Sequence, residues 1–138
     1  MAISQVLCTS FKKELLEATH NFGSHEFKIA LYTDAVTLGA DTTVYSADNE
    51  VSGTGYTEGG VTLTASTVAS GDGVGFVNFS DATWASSSFT ARGALIYNSS
   101  YLRINSKLSL HSIKYWSSES SVAVTFQLNN TSSSIIGS

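Results

Sequence analysis

The stretch ValSerGlyThrGlyTyrThrGluGlyGly, residues 51–60, holds the residue types most suggestive of chemistry, because glycine loops cradle phosphates. A dinucleotide fingerprint needs glycine at its first, third and sixth positions. Gly53 and Gly55 fit the first two, but the sixth is Glu58, whose carboxylate would repel a pyrophosphate. A P-loop needs Gly-Lys followed by Ser or Thr, and no lysine stands nearby. Both motifs also open a helix, whose terminal amides and dipole hold the anion. Here the alternating segment ValThrLeuThrAla (61–65) follows, which reads as a strand. Gly53, Gly55, Gly59 and Gly60 are therefore expected to form a turn, supplying positive φ angles between two extended segments.

The other reactive types do not converge along the chain. His20 and His25 flank Gly23 and His111 is remote, so ordinary hydrogen-bonded histidines are expected rather than metal ligands. Asp34, Asp41, Asp48 and Glu50 are spaced by seven, seven and two, unlike the close alternate oxygens of a calcium loop. A solvated acidic loop is the expectation. The single cysteine, Cys8, excludes an internal disulfide and reads as a small buried apolar residue near a helix start. No serine lies in Gly-x-Ser-x-Gly, and no carboxylate pair stands out for glycoside chemistry. The reading is a protein that is not an enzyme and uses neither cofactor nor metal.

Aromatic residues are numerous, and most sit in or beside strand segments, where core and cross-strand packing accounts for them. Tyr115 and Trp116, just before the polar SerSerGluSerSer turn, are the pair expected at an interface, with Trp84 a further contact candidate. Exposed Trp84, Tyr97 or Trp116 would also suit an alternative of another class, a carbohydrate-binding β-sandwich.

These residues must be positioned by one helix and a set of strands. Phe11, Leu15, Ala18 and Phe22, with Leu16 beside them, form an apolar stripe at helical spacing. Ser10 or Thr9 is the expected N-cap, Gly23 the expected C-terminal cap, and His20 falls in the last turn. From residue 26 the period becomes two. PheLysIleAlaLeuTyrThr (27–33), residues 61–65 and ValAlaValThrPheGlnLeu (122–128) alternate, and residues 74–79, 89–97 and 108–113 are further strand candidates. The expected fold is mainly β: a small β-sandwich or barrel of six to eight strands with one N-terminal α-helix. We expect a single domain over 1–138, with the helix region at 4–23 and the β domain at 26–138. Proline is absent and charges are few, so two common guards of open strand edges are scarce.

Composition narrows the function classes. Hydrophobic residues at 42% and charged ones at 13% exclude the disordered class and leave a neutral polar surface suited to close protein packing. A net charge of −4 and scattered lysines and arginines oppose nucleic-acid binding. No segment approaches the roughly 20 apolar residues of a membrane span, and the N-terminal residues do not read as a signal peptide.

Several stretches in order complete the reading. PheLysIleAlaLeuTyrThr (27–33), GluValSerGlyThrGlyTyr (50–56), GlyGlyValThrLeuThr (59–64), ValAsnPheSerAspAlaThrTrp (77–84) and ThrAlaArgGlyAlaLeuIleTyrAsn (90–98) resemble a family of small virion proteins of tailed bacteriophages. The resemblance covers roughly residues 5 to 100. Residues 106–121 depart from the family, which continues with an Asp-Phe-Gly strand and a Phe-Pro step. It implies a virion structural protein, in the first place a decoration or cement protein on the outer capsid surface, and otherwise a tail, adaptor or fibre-base component. The implied partners are the major capsid protein and further copies of the chain, as a dimer or trimer, in a particle assembled in the host cytoplasm. Within the resembling blocks, Arg92 on an apolar strand needs a carboxylate partner, within the domain or on a neighbouring subunit, for which Asp81 is a candidate, so both are candidate subunit or partner contacts.

Overall fold

The computed structural model describes residues 6–64 and 67–100 in full, and residues 107–111, 121–122, 125–128 and 133–136 by their backbone. Among these residues there is one short helix, α1 (Thr9–Leu16), and the rest of the regular structure is strand. The strands are β1 (Phe27–Tyr32), β2 (Val61–Leu63), β3 (Thr67–Gly71), β4 (Val74–Asn78), β5 (Ala82–Thr83), β6 (Gly93–Asn98), β7 (Lys107–His111), β8 (Ser121–Val122), β9 (Thr125–Leu128) and β10 (Ser133–Ile136). They form a four-stranded sheet in the order β2-β1-β6-β7, a second in the order β10-β9-β4-β3, and the pair β5-β8. Every pairing is antiparallel, and none of the sheets closes on itself.

The helix is shorter than its apolar stripe predicts. Ala18, with φ 57°, is left-handed and stops it. The amide of Ala18 donates to Leu15 O at 3.1 Å and that of Thr19 to Glu14 O at 2.9 Å. This is a Schellman closure with alanine where glycine is usual. Gly23, the expected cap, lies beyond the helix, and so do Phe22 and His20. The reason is tertiary. Phe22 stacks on Phe27 at 4.5 Å, and the fully buried His20 ring lies 3.1 Å from Asn98 at the end of β6 and 6.3 Å from the Phe27 ring, so both side chains are held against the sheet rather than along the helical path. The start also differs from expectation. Cys8 is the N-cap residue and makes no side-chain cap; instead the Thr9 amide donates to Ala40 O at 2.9 Å, docking the helix on a distant loop. Cys8 itself is buried, and Leu16, expected to join the stripe, is 91% exposed.

β1 and β6 pair over six residues and are buried on both faces. Strand alternation sends Phe27, Ile29, Leu31, Ala94 and Ile96 into the main cluster, with Leu7, Phe11, Val77 and Trp84. The opposite face carries Ala30, Tyr32, Leu95 and Tyr97 into a smaller cluster under Val36, Leu38 and Tyr45. Burial of each large apolar side chain here contributes about 2 kcal/mol of transfer free energy, which makes this pair the mechanical centre of the chain.

β3 and β5 were not among the expected strands, and the long candidate at 89–97 begins as a strand only at Gly93. β3 is short of bulky apolar residues because it is an edge, exposed along most of its length. Its hairpin to β4 turns on Asp72 and Gly73, at φ 52° and 77°, the conformation for which an Asp-Gly pair is suited.

Candidate interaction surface

The 51–60 connection binds the chain to itself. Gly55, Gly59 and Gly60 have positive φ, whereas Gly53 does not. Gly53 is needed instead for close approach: a Cβ there would stand 2.7 Å from Ser88 O, where Thr54 bridges Ser88. Gly60 combines both demands, with φ +74° and a would-be Cβ 1.8 Å from Ile29 O. Strand β2, not a helix, follows the connection.

Glu50 organises this region. Its Oε1 accepts from Tyr56 OH at 2.5 Å and from the Gly59 amide at 2.8 Å, and its Oε2 accepts from Tyr45 OH at 2.5 Å. Tyr56 OH in turn accepts from the Leu31 amide at 2.8 Å. Tyr97 OH donates to Gly59 O at 2.8 Å, Tyr32 OH donates to Ser46 O at 2.7 Å, and Tyr45 stacks on Tyr97 at 4.6 Å. Burial, reinforced by the Glu50 charge, raises all four phenols above their usual range, Tyr97 to about 12. They remain neutral donors, and their hydrogen bonds point inward. Glu50 is thus a structural staple rather than part of a solvated acidic string. Its role was missed although Tyr45 and Tyr56 stand only five and six positions away, because neither spacing belongs to a helix or strand and only the fold of the connection brings them together.

The remaining candidates divide. Trp84 is 2% exposed, packed near Tyr56 and Phe89, which corrects its expected role as a contact residue. The alternation of β5 turns Ala82 and Trp84 inward together. Tyr97 is likewise buried, so two of the three aromatics of the carbohydrate-binding alternative are withdrawn from solvent. Asp81 is exposed just before β5. Arg92 is half-buried just before β6, its amide donating to Tyr32 O at 2.8 Å. Tyr115 and Trp116 lie outside the described residues. Among the described residues no group of three or more His, Cys, Asp or Glu could hold a metal ion. No described helix is long and apolar enough to cross a membrane.

A different surface stays open. Between α1 and the β3–β4 hairpin lies a cavity of about 210 Å³, lined by Leu7, Phe11, Leu15, Phe22, Val68, Ala69, Gly75, Phe76 and Val77. Every one of these residues is apolar or glycine. β3 borders it and ends its sheet, so its outer backbone groups have no strand beyond them among the described residues. That edge, ThrValAlaSerGly, carries no charge and no proline, and Val68 on it is 66% exposed. The described residues therefore place an apolar groove beside an uncharged strand edge without proline. A second cavity of about 290 Å³, beneath residues 35–49, gathers no reactive set: its ionisable lining groups are Tyr32 and Asp48.

No protein-family model, curated protein or solved structure matches the chain.

Proposed function

We propose that the protein is a non-enzymatic structural subunit of a tailed-bacteriophage particle, a decoration protein bound to the outer capsid surface. The observation that carries the reading is the open margin of α1 and β3, an apolar groove beside an uncharged strand edge. It is supported by the ordered stretches at 27–33, 50–56, 59–64, 77–84 and 90–98 that resemble phage virion proteins. Two four-stranded sheets contributing to one apolar cluster support a sandwich for the fold. In this reading the partners are the major capsid protein and other copies of the chain, as a dimer or trimer. Many copies bind the assembled shell and not its free subunits, so mass action stabilises the shell. Weak individual contacts add up across a repeated lattice. The sparse charge of the surface keeps repulsion between neighbours low.

Cryo-EM of purified particles tests this. The expected result is density for the protein at regular positions over the shell, with on the order of hundreds of copies per particle, as lattice symmetry requires. Density only at the neck or tail, with about six or twelve copies, would replace this reading with that of a tail or adaptor component.

A further inference from the structure

His20 sits at a junction that the proposed role does not use. Its ring is fully buried, 4.7 Å from the Phe11 ring and 6.3 Å from the Phe27 ring. Nε2 lies 2.8 Å from Glu14 Oε2 on α1, and Nδ1 lies 3.1 Å from Asn98 Nδ2 at the end of β6. The same amide nitrogen is 2.9 Å from His25 Nδ1. The orientation of Asn98 is fixed by its other end, where Oδ1 accepts from the Ser100 amide at 3.1 Å. Its NH2 group therefore faces both imidazoles, and both Nδ1 atoms must accept. The proton of His20 is then on Nε2, donated to Glu14, and the ring is neutral.

We propose that Glu14, His20, Asn98 and His25 form an acid-released latch that ties helix α1 to the end of β6. A second proton on His20 must go to Nδ1, which faces an N–H and has no acceptor there. Turning the Asn98 amide would present Oδ1 instead, but that sets Oδ1 against His25 Nδ1, which accepts from the Asn21 amide at 3.3 Å, and abandons the Ser100 amide. With these contacts in place, the junction accommodates a second proton on His20 only by opening. The ionisable groups facing His20 are Glu14 from α1 and His25 from the loop, while β6 presents the uncharged Asn98. Burial lowers the affinity of His20 for a second proton, Glu14 raises it, and His25 lowers it again, with a net decrease. Opening frees α1, and with it Phe11 and Leu15 on the wall of the apolar groove. This holds whatever the groove binds.

The sign follows from linkage. A histidine whose folded form resists protonation contributes stability that is complete above the ordinary value of about 6.5 and is lost as pH falls below it. The test is thermal melting of the full chain from pH 8 to pH 5, with 15N NMR of the histidine rings at pH 7. The expected results are a melting temperature that drops by about 4 °C per pH unit below pH 6.5, and a His20 ring protonated only at Nε2. His20→Gln should melt lower at pH 8 yet lose this slope. Should that variant fail to fold, the ring spectrum of the wild type decides alone. A doubly protonated His20 at pH 7, or a melting temperature that stays flat down to the carboxylate range near pH 4, would overturn the latch.

Discussion

Residues 33–60 and the margin formed by α1 and β3 are both surface regions, yet they treat their polar and apolar groups in opposite ways. In the first, the phenols of Tyr45, Tyr56 and Tyr97, the Glu50 carboxylate and both backbone groups of Gly59 are joined in hydrogen bonds that hold the connection onto β1 and β6. In the second, Val68 and Leu16 face solvent and a cavity of about 210 Å³ is walled by apolar side chains. Burying hydrogen-bonding groups with full partners rigidifies a region and leaves it little to offer a ligand. Leaving apolar area uncovered beside an unpaired strand edge weakens the free protein and becomes favourable once another chain covers it. The closed region holds the fold, and on the proposed function the open margin is where binding free energy is still to be gained.

The sharpest contrast comes from the same substitution in both regions. Gly60→Ala places a Cβ 1.8 Å from Ile29 O at a positive φ, and is expected to destabilise by about 4 kcal/mol or more, leaving little folded protein. Gly71→Ala, in β3, meets nothing within 4 Å and is expected to stay within about 0.5 kcal/mol of wild type. Paired thermal melts check both, and equal effects would erase the distinction.

Glu50→Ala removes the acceptor of two tyrosines and one amide, and should lower stability by about 3 kcal/mol, or about 10 °C in melting temperature. The same network makes the fold sensitive to alkali. Its tyrosines ionise less readily folded than unfolded, so stability is complete below pH 10 and is lost as pH rises above it. Far-UV circular dichroism against pH should show unfolding setting in above about pH 10, and Glu50→Ala should already be unfolded there.

A smaller effect lies at the C-terminal end of α1. Ala18 is left-handed at the Schellman closure of α1, and Ala18→Gly should stabilise by about 1 kcal/mol, read as a higher denaturant midpoint with unchanged slope.

The strands of the closed region were largely legible in the sequence, because β1 and β2 alternate, β6 is a continuous apolar run, and glycines mark the connection between them. The staple itself was not legible. Tyr32, Tyr45, Tyr56, Tyr97 and Glu50 come together only through the pairing of β1 with β6 and the return of the 51–60 connection, and neither is encoded by local spacing. The stop of α1 at Leu16 was hidden for a related reason: the pull of His20 and Phe22 toward the sheet overrides a continuing helical pattern. β3 escaped notice because an exposed edge strand lacks the alternation that burial imposes, although Asp72-Gly73 before Val74 marks its hairpin. Trp84 misled in the other direction, since a large aromatic beside a turn reads the same whether it faces the core or a partner.

Val68→Asp puts a charge on the exposed edge of β3 without touching the buried clusters. Reassociation of this variant with particles stripped of the protein tests most directly whether the open margin is the working surface. The predicted result is a melting temperature within about 2 °C of wild type and occupancy on particles reduced at least tenfold, the loss of about 1.4 kcal/mol of binding free energy. Undiminished occupancy by a folded Val68→Asp protein would contradict the account.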